Sequence, residues 1–223
     1  MQVAIDGPAS AGKSTVAKLI ANKLDFVYID TGAMYRACTV IARNNHLDYG
    51  DEDAIIKAID KDGIELKSEN GEQKVYSAGK DISLEIRTPE ISANVSQVSA
   101  LPKIRKKMVA LQRKMSGQVD VIMDGRDIGT TVLPNAEVKI FLVASARSRA
   151  ERRMKDFKQR GIESTQTVEQ IEKDIAERDY KDSHRKISPL RRAEDAIEID
   201  TTNMSIDQVV ERILAEIEKN KKK

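Results

Sequence analysis

Residues 5–15 read Ile-Asp-Gly-Pro-Ala-Ser-Ala-Gly-Lys-Ser-Thr, with Gly7, Gly12, Lys13 and Ser14 where the P-loop pattern G-x-x-x-x-G-K-[ST] requires them. The spacing follows from the chemistry of holding a polyphosphate. Glycines let the backbone curl until successive N–H groups of Gly7, Pro8, Ala9, Ser10, Ala11 and Gly12 (proline excepted) point inward at phosphate oxygens. Lys13 adds a mobile point charge for the β- and γ-phosphates, and the Ser14 hydroxyl can ligate Mg²⁺. Thr15 opens a helix whose positive dipole end faces the same anion. The flanks fit this reading: Val3-Ala4-Ile5 suits a buried parallel strand, and Val16, Leu19, Ile20 and Leu24 recur at helical spacing. Strand, loop and helix in that order make nucleotide phosphate binding the expected property of this chain.

With 223 residues, 40% hydrophobic and 33% charged, the chain is the size and composition of one soluble α/β domain with small appendages. Its formal net charge of +2 gives no general reason to expect a nucleic-acid partner. The single cysteine, Cys38, forms no internal disulfide, in keeping with a cytoplasmic protein. Neither a signal peptide nor an apolar run of the ~20 residues that span a bilayer is visible, so no membrane association is expected.

Four more strands follow by pattern, at 26–29, 119–124, 138–143 and 196–200, separated by helical segments. Such alternation predicts an α/β fold with a parallel sheet, whose ligand groups gather at the carboxyl ends of strands. Thr31, Tyr35 and Arg36 stand just after the second strand; helix capping by Thr31 and surface roles for the other two explain them equally well. Residues 51–59 read as helix. Between Gly63 and Arg87 the pattern changes to a small antiparallel sheet of two or three strands, with Asn70-Gly71 as a hairpin signal and Ile82-Ser83-Leu84 as the candidate last strand. Such an insert covers a site or decorates the fold, and the sequence favours neither. Residues 92–101 read as partly helical, and Pro102 opens a basic helix with Ile104, Met108, Leu111 and Met115 on one face. The strand at 119–124 ends in Asp124-Gly125-Arg126-Asp127, where an aspartate holds Mg²⁺ directly or through water in P-loop enzymes.

Over residues 145–192 the chain carries 14 Lys/Arg against 9 Asp/Glu. Arginine dominates 147–160, which suits bidentate phosphate recognition better than mere solvation; Arg149, Arg153 and Arg160 are expected on one helix face. Nucleic acid is the other anionic partner such a stretch could take, but no aromatic interleaving accompanies it. Thr167 and Gln170 form a capping-box pattern that starts a helix carrying Arg178, Asp182 and Arg185 on one face, either as a surface ion-pair ladder or as a grip on a polar ligand. Ser205 and Gln208 cap a last amphipathic helix, which ends in a basic tail at Lys219 and Lys221 to Lys223.

A P-loop with many arginines and no base placed for a hydroxyl raises the question of the phosphoryl acceptor. A phosphate monoester has a second pKa of about 6 and is already anionic at neutral pH. It needs positive charge to approach a second anion, not a base. This points to a nucleoside monophosphate kinase, while Asp127 leaves a sugar or nucleoside kinase open.

Three motifs sharpen the reading: Asp30-Thr31-Gly32-Ala33-Met34-Tyr35-Arg36, Asp124-Gly125-Arg126-Asp127-Ile128-Gly129 and Glu177-Arg178-Asp179-Tyr180-Lys181-Asp182-Ser183-His184-Arg185. In this order, and with the insert, the chain resembles the bacterial cytidylate kinases essentially end to end. The resemblance implies a P-loop three-layer α/β/α fold with a five-stranded parallel sheet, one kinase domain over 1–223. Within it come a monophosphate-binding subdomain over about 31–101, containing the 63–87 sheet, and an arginine-rich lid over about 147–166. It implies transfer of the ATP γ-phosphate to CMP and dCMP with Mg²⁺ as cofactor. Carried over by position, Lys13, Arg126, Arg149 and Arg153 are catalytic, the last two closing over the ATP phosphates. Thr31, Arg36 and Arg126 hold the acceptor phosphate, while Ser96, Arg105 and Asp127 read the cytosine with support from Arg185. Tyr35, Arg178 and Asp182 face the sugar, and Ser14 and Asp124 attend the metal. Cytosine N4 is a donor that an aspartate accepts from, whereas uracil O4 would leave that carboxylate unpaired. Kinases for UMP or dTMP are the nearest alternative, and a regulatory or nucleic-acid-dependent P-loop ATPase is one of a different class. No heptad or exposed apolar stripe calls for a partner, so a monomer is expected.

Overall fold

The computed structural model describes residues 1–69, 71–117, 119–159, 161 and 163–221. In chain order the elements are β1 (Gln2–Asp6), α1 (Lys13–Leu24), β2 (Val27–Asp30), α2 (Thr31–Asn44), α3 (Glu52–Asp62), β3 (Glu65–Glu69), β4 (Glu72–Ser77), β5 (Lys80–Asp81), α4 (Pro89–Ala100), α5 (Pro102–Ser116), β6 (Val121–Gly125), β7 (Val138–Val143), α6 (Ala146–Gln159), α7 (Val168–His184), β8 (Ile197–Asp200) and α8 (Ile206–Lys221). They form two units, Met1–Tyr28 with Ser116–Lys223, and Ile29–Met115.

The first unit is built on the apolar run that precedes the P-loop. Among the described residues a five-stranded parallel sheet has the order β2-β6-β1-β7-β8. β1 is central, pairing Ile5 with Asp124 on β6 and with Ile140 on β7. Val3, Ala4 and Ile5 have no exposed surface. Val16 and Ile20 of α1 and Val209, Val210, Ile213 and Ile217 of α8 bury their apolar stripes in one cluster with Val3, Ile5, Ile122, Val138, Ile140 and Leu142. Those helices therefore form for tertiary reasons as much as for propensity. α8 starts with the expected Ser205/Gln208 exchange, Gln208 N–H donating to Ser205 Oγ and Ser205 N–H to Gln208 Oε1. Its end carries Lys219 and Lys221; Lys222 and Lys223 lie outside the described residues. α6 and α7 pack through Ala150, Phe157, Ile171 and Ile175, and the Thr167/Gln170 capping box is present.

In the second unit, Ala33, Ala37 and Val40 of α2 meet Val75, Ile82, Ile86 and Ile91. The small sheet is antiparallel in the order β3-β4-β5, with Glu69 opposite Glu72 across the turn; Asn70, half of the hairpin signal, lies outside the described residues. Its third strand is not Ile82-Ser83-Leu84 but the two residues Lys80–Asp81. Asp81 Oδ1 accepts the Ser83 N–H and bends the chain out of the ladder, and the Ser83 hydroxyl accepts from Val75 N–H. A 3₁₀ turn over Glu85–Arg87 follows, so Ile82 and Ile86 enter the core while Leu84 stays exposed. α4 is helical from Pro89, earlier than residues 92–101 suggested. No helix of the described residues is long and apolar enough to cross a membrane.

Candidate functional site

The phosphate cradle grows from the carboxyl end of β1, at the point where the sheet's connections diverge to β6 and β7. Gly7 takes φ 146° and Gly12 φ 93°, and Ser10 sits at φ 60° between them. A Cβ on Gly7 would lie 2.1 Å from the Leu142 carbonyl oxygen, so this position admits only glycine. Gly12 precedes α1 without a side-chain cap, and the first turn of that helix holds no acidic residue. Its N–H groups and dipole are left for an anion. Lys13 is buried and donates from Nζ to the Pro8 carbonyl at 2.7 Å, folding back over the loop. Burial pushes its ammonium down to about 7, with the Arg126 and Arg178 charges acting in the same direction and Asp124 and Asp6 against it.

Asp124 is delivered beside this loop by the β1–β6 register. The Ser14 hydroxyl donates to its Oδ2 at 2.9 Å and the Tyr28 hydroxyl to its Oδ1 at 2.7 Å. A hydroxyl and a carboxylate oxygen therefore converge at the start of α1, a donor set of hard oxygens suited to Mg²⁺, which keeps waters and takes its other ligands from phosphates. Among the described residues no cluster of three or more His, Cys, Asp or Glu could hold a metal alone.

Beyond Gly125 the chain enters a π-helical turn over Ile128–Val132, in which the Asp127 carbonyl accepts from Thr131 and Val132 N–H. Asp127 is buried, with Arg185 Nη2 3.8 Å from its Oδ1. Arg126 Nε donates to Asp182 Oδ2 at 3.0 Å, and Arg178 Nε lies 3.9 Å from the same oxygen. Asp182 is buried, which rules out the surface-ladder reading of the Arg178/Asp182 spacing. Burial alone would raise its carboxyl, but the charges of Arg126, Arg178 and Arg185 hold it below the usual range. Arg185 does not share the α7 face, because the helix ends at His184; Arg185 is extended, at φ −66° and ψ 144°, and its Nε donates to the Ser188 carbonyl. Burial, then the Arg126 charge, brings Arg178 down to about 10, against the pull of Asp182.

Of the α6 arginines, Arg149 is buried and pinned: Nε donates to the Ala144 carbonyl at 2.9 Å, and Nη1 to the Ala9 carbonyl at 3.1 Å and to Asp179 Oδ2 at 2.5 Å. Arg153 lies over the Phe157 ring, 4.8 Å from its centre. Arg160, expected on the same face, lies outside the described residues.

The second unit carries its own polar group. Asp30, not Thr31, caps α2: its Oδ1 accepts the Ala33 N–H at 2.8 Å, and Thr31 is already helical and buried. Arg87 donates to Asp30 Oδ2 at 2.8 Å. Arg36 is buried and donates from Nη1 to the Ile86 carbonyl at 2.9 Å and to Ser92 Oγ at 2.8 Å. Arg105, also buried, donates to the Ser99 carbonyl and stacks its guanidinium 5.2 Å from the centre of the buried Tyr35 ring. Ser96 lies on α4, its carbonyl accepting from Ser99 Oγ. Thus Tyr35 and Arg105 come together here, while Arg126, Arg178, Asp182, Asp127 and Arg185 gather in the first unit with Lys13 and Asp124.

Sequence reading passed over Asp6, Tyr28 and Asp179 in the first unit, and Arg87 and Ser92 in the second. Asp6 carried a usable signal, since a carboxylate closing a wholly apolar strand must find buried partners. The others meet their partners only through tertiary packing.

A family model described as cytidylate kinase matches residues 3–219. A cytidylate kinase of Lactobacillus gasseri is 68% identical over 222 residues, covering 100% of this chain and 96% of that protein. One of Streptococcus pneumoniae is 52% identical over 220 residues, covering 98% of each. A solved gluconokinase from Sinorhizobium meliloti 1021 superposes with a TM-score of 0.50 at 12% identity, covering 98% of this chain and 91% of that one, a likeness of fold alone. With its P-loop, its Asp124-Gly125-Arg126-Asp127 turn and its buried arginines in place along a chain matched from end to end, this protein belongs to the cytidylate kinase family.

Proposed function

We propose that this enzyme transfers the γ-phosphate of ATP to CMP and dCMP, giving CDP and dCDP. The observation that carries the reading is the gathering of cations in the first unit, where the buried Lys13 has the half-buried Arg126 and Arg178 near it. Burial first, and then the Arg126 charge, brings Lys13 down to about 7 and Arg178 down to about 10. Groups of like charge held this close create a field that a polyanion relieves, and phosphoryl transfer between two anionic nucleotides brings such charge. The acceptor phosphate needs no base, because it is already ionised at neutral pH.

In this reading Gly7 to Thr15 bind the ATP phosphates, with Lys13 on the β- and γ-groups. Arg149 meets them from its pinned position beside Ala9, and Arg153 from the next turn of α6, within a lid over about 147–166. Arg126, Thr31 and Arg36 hold the acceptor phosphate, the latter two within a monophosphate-binding subdomain over about 31–101. Asp127 accepts from cytosine N4, with Arg185 behind it, and Ser96 and Arg105 complete the base contacts. Tyr35, Arg178 and Asp182 face the sugar. Ser14 and Asp124 hold Mg²⁺, directly or through water; the bound ion supplies charge neutralisation at the phosphates. In this reading the enzyme works on small nucleotides as a monomer in the cytoplasm, without nucleic acid or membrane.

The test is ADP formation from ATP–Mg²⁺ with CMP, dCMP, UMP, dTMP, AMP or GMP. Turnover confined to CMP and dCMP supports both reaction and base readout. Preference for another monophosphate keeps the phosphoryl transfer and removes Asp127, Ser96 and Arg105 from base recognition. ATP hydrolysis stimulated by RNA or DNA, with no acceptor phosphorylated, overturns the kinase reading.

A further inference from the structure

Asp6 closes β1 one residue before the cradle, but both its oxygens serve the neighbouring turn. Oδ1 accepts the Ile128 N–H and Oδ2 the Gly129 N–H, each at 2.8 Å. These are the two amides that follow Asp127. The turn is tight: a Cβ on Gly129 would lie 3.1 Å from Lys139 Cδ and 3.5 Å from Asp6 Oδ2. The backbone just after Asp127 is therefore fixed by a buried carboxylate from the strand that launches the P-loop. β1 does not need these bonds to stay in place, since it is laddered to β6 and β7 and its apolar residues are fully buried. A buried carboxylate is a costly way to satisfy two amides, which a neutral acceptor could serve in part.

We propose that Asp6 is a positioning residue for base selection: by holding the Asp127–Ile128–Gly129 backbone, it sets the distance and angle at which the Asp127 carboxylate meets the acceptor base. The inference rests on the reading of Asp127 as the group that accepts from the cytosine amino group. Discrimination of an amino from a carbonyl group depends on a short, aligned hydrogen bond, and a misplacement on the order of 1 Å dissipates it. Asp6 touches no substrate; it acts through Asp127.

The experiment compares Asp6→Asn with Asp127→Ala by the CMP-to-UMP ratio of kcat/KM and by the Kd for ATP. Asparagine keeps the shape of Asp6 but turns an amino group toward one of the two amides. The expected result is a CMP-to-UMP ratio lowered about tenfold in Asp6→Asn, with the Kd for ATP changed less than about twofold. A purely structural role lowers the melting temperature and scales both acceptors equally, leaving the ratio as it was. A ratio unchanged in Asp6→Asn but lowered in Asp127→Ala overturns the positioning role and leaves the base assignment standing. A ratio unchanged in both overturns the two together. If Asp6→Asn does not fold, Asp6→Glu keeps the carboxylate but moves it by one methylene against the same two amides; a lowered ratio supports the proposal and an unchanged one overturns it.

Discussion

Lys13 is an ammonium kept where ammonium groups are disfavoured, and on the proposed reading the nucleotide phosphates offset that cost. Its Nζ is spent on the Pro8 carbonyl, so the fold places the charge over the loop before any phosphate arrives. Lys13→Ala should lower kcat/KM by at least about a thousandfold, as the loss of preorganised charge stabilisation does elsewhere. The circular dichroism spectrum should stay unchanged; turnover within tenfold of the parent removes Lys13 from phosphate transfer. Asp6 makes a second residue-scale prediction. Burial raises its carboxyl from 3.8 to about 7, the Asp127 charge adds to that, and the two backbone N–H groups and Lys13 oppose it. Because the folded-state value lies above the unfolded one, the native chain holds an extra proton between roughly pH 4 and 7. Its stability therefore declines as pH rises through that window and levels off above it. Asp6→Asn lacks this slope, so urea midpoints should show the parent's margin over the variant shrinking from pH 5 to pH 8. A margin that grows instead shows that the two amides outweigh burial. Single positions also mark where sequence reading ran out. Lys13, Ser14 and Asp124 are legible because motif spacing encodes their geometry. Tyr28 and Asp179 acquire partners 96 and 30 residues away that no local pattern announces, while Asp6, closing an apolar strand, signals that it needs buried partners but not that they lie 122 residues on.

At the scale of elements, strands and helices were legible wherever one apolar period ran unbroken, as in β1, β7 and α8. Boundaries failed where a polar side chain competed with the backbone. Asp81 and Ser83 turn the chain out of the small sheet, although Ile82-Ser83-Leu84 alternates like a strand. Asp30 takes the cap that Thr31 could have supplied, and the π-helical turn after Asp127 has no sequence signature. Arg185 falls beyond α7, so its i+7 spacing from Arg178 carried no facial meaning. The loop between β1 and α1 has the strictest steric demand in the first unit. Gly7→Ala would bring a methyl to 2.1 Å from the Leu142 carbonyl, at a φ of 146° that side chains rarely adopt. Backbone atoms cannot yield as a flexible side chain would, so β1 or β7 has to shift. A loss of about 3 kcal/mol or more in urea-derived stability is expected, from overpacking together with strain. A loss below about 1 kcal/mol would show that the loop relaxes without disturbing the sheet.

For the whole molecule, the α/β class and the five-stranded sheet followed from strand–helix alternation, because a parallel sheet buried on both faces leaves continuous apolar runs. The gathering of charge was only half legible. The sequence shows an arginine-rich stretch, but not that Arg178 and Arg126, both half-buried, come near the buried Lys13. On the proposed reading this arrangement sets stability and activity in opposition. Arg178 Nε has no hydrogen-bond partner among the described residues, and its nearest anion, Asp182, lies 3.9 Å away and is bonded to Arg126. A guanidinium brought down to about 10 is one whose surroundings, taken together, disfavour its charge. Methionine fills much of the same volume without charge, and replacing ions held largely out of water by apolar groups is often neutral or stabilising when the remaining charges stay paired; the Arg178 side chain is 22% exposed. Asp182 stays paired, through Arg126. Arg178→Met should therefore leave the nucleotide-free protein as stable as the parent or about 1 kcal/mol more so, read from urea denaturation. The same change should lower kcat/KM for CMP by about a hundredfold, because the field that burdens the empty protein is the one a second anionic nucleotide requires. Destabilisation by more than about 2 kcal/mol would identify Arg178 as a structural counter-ion of Asp182. Retained activity would take it out of the acceptor's surroundings.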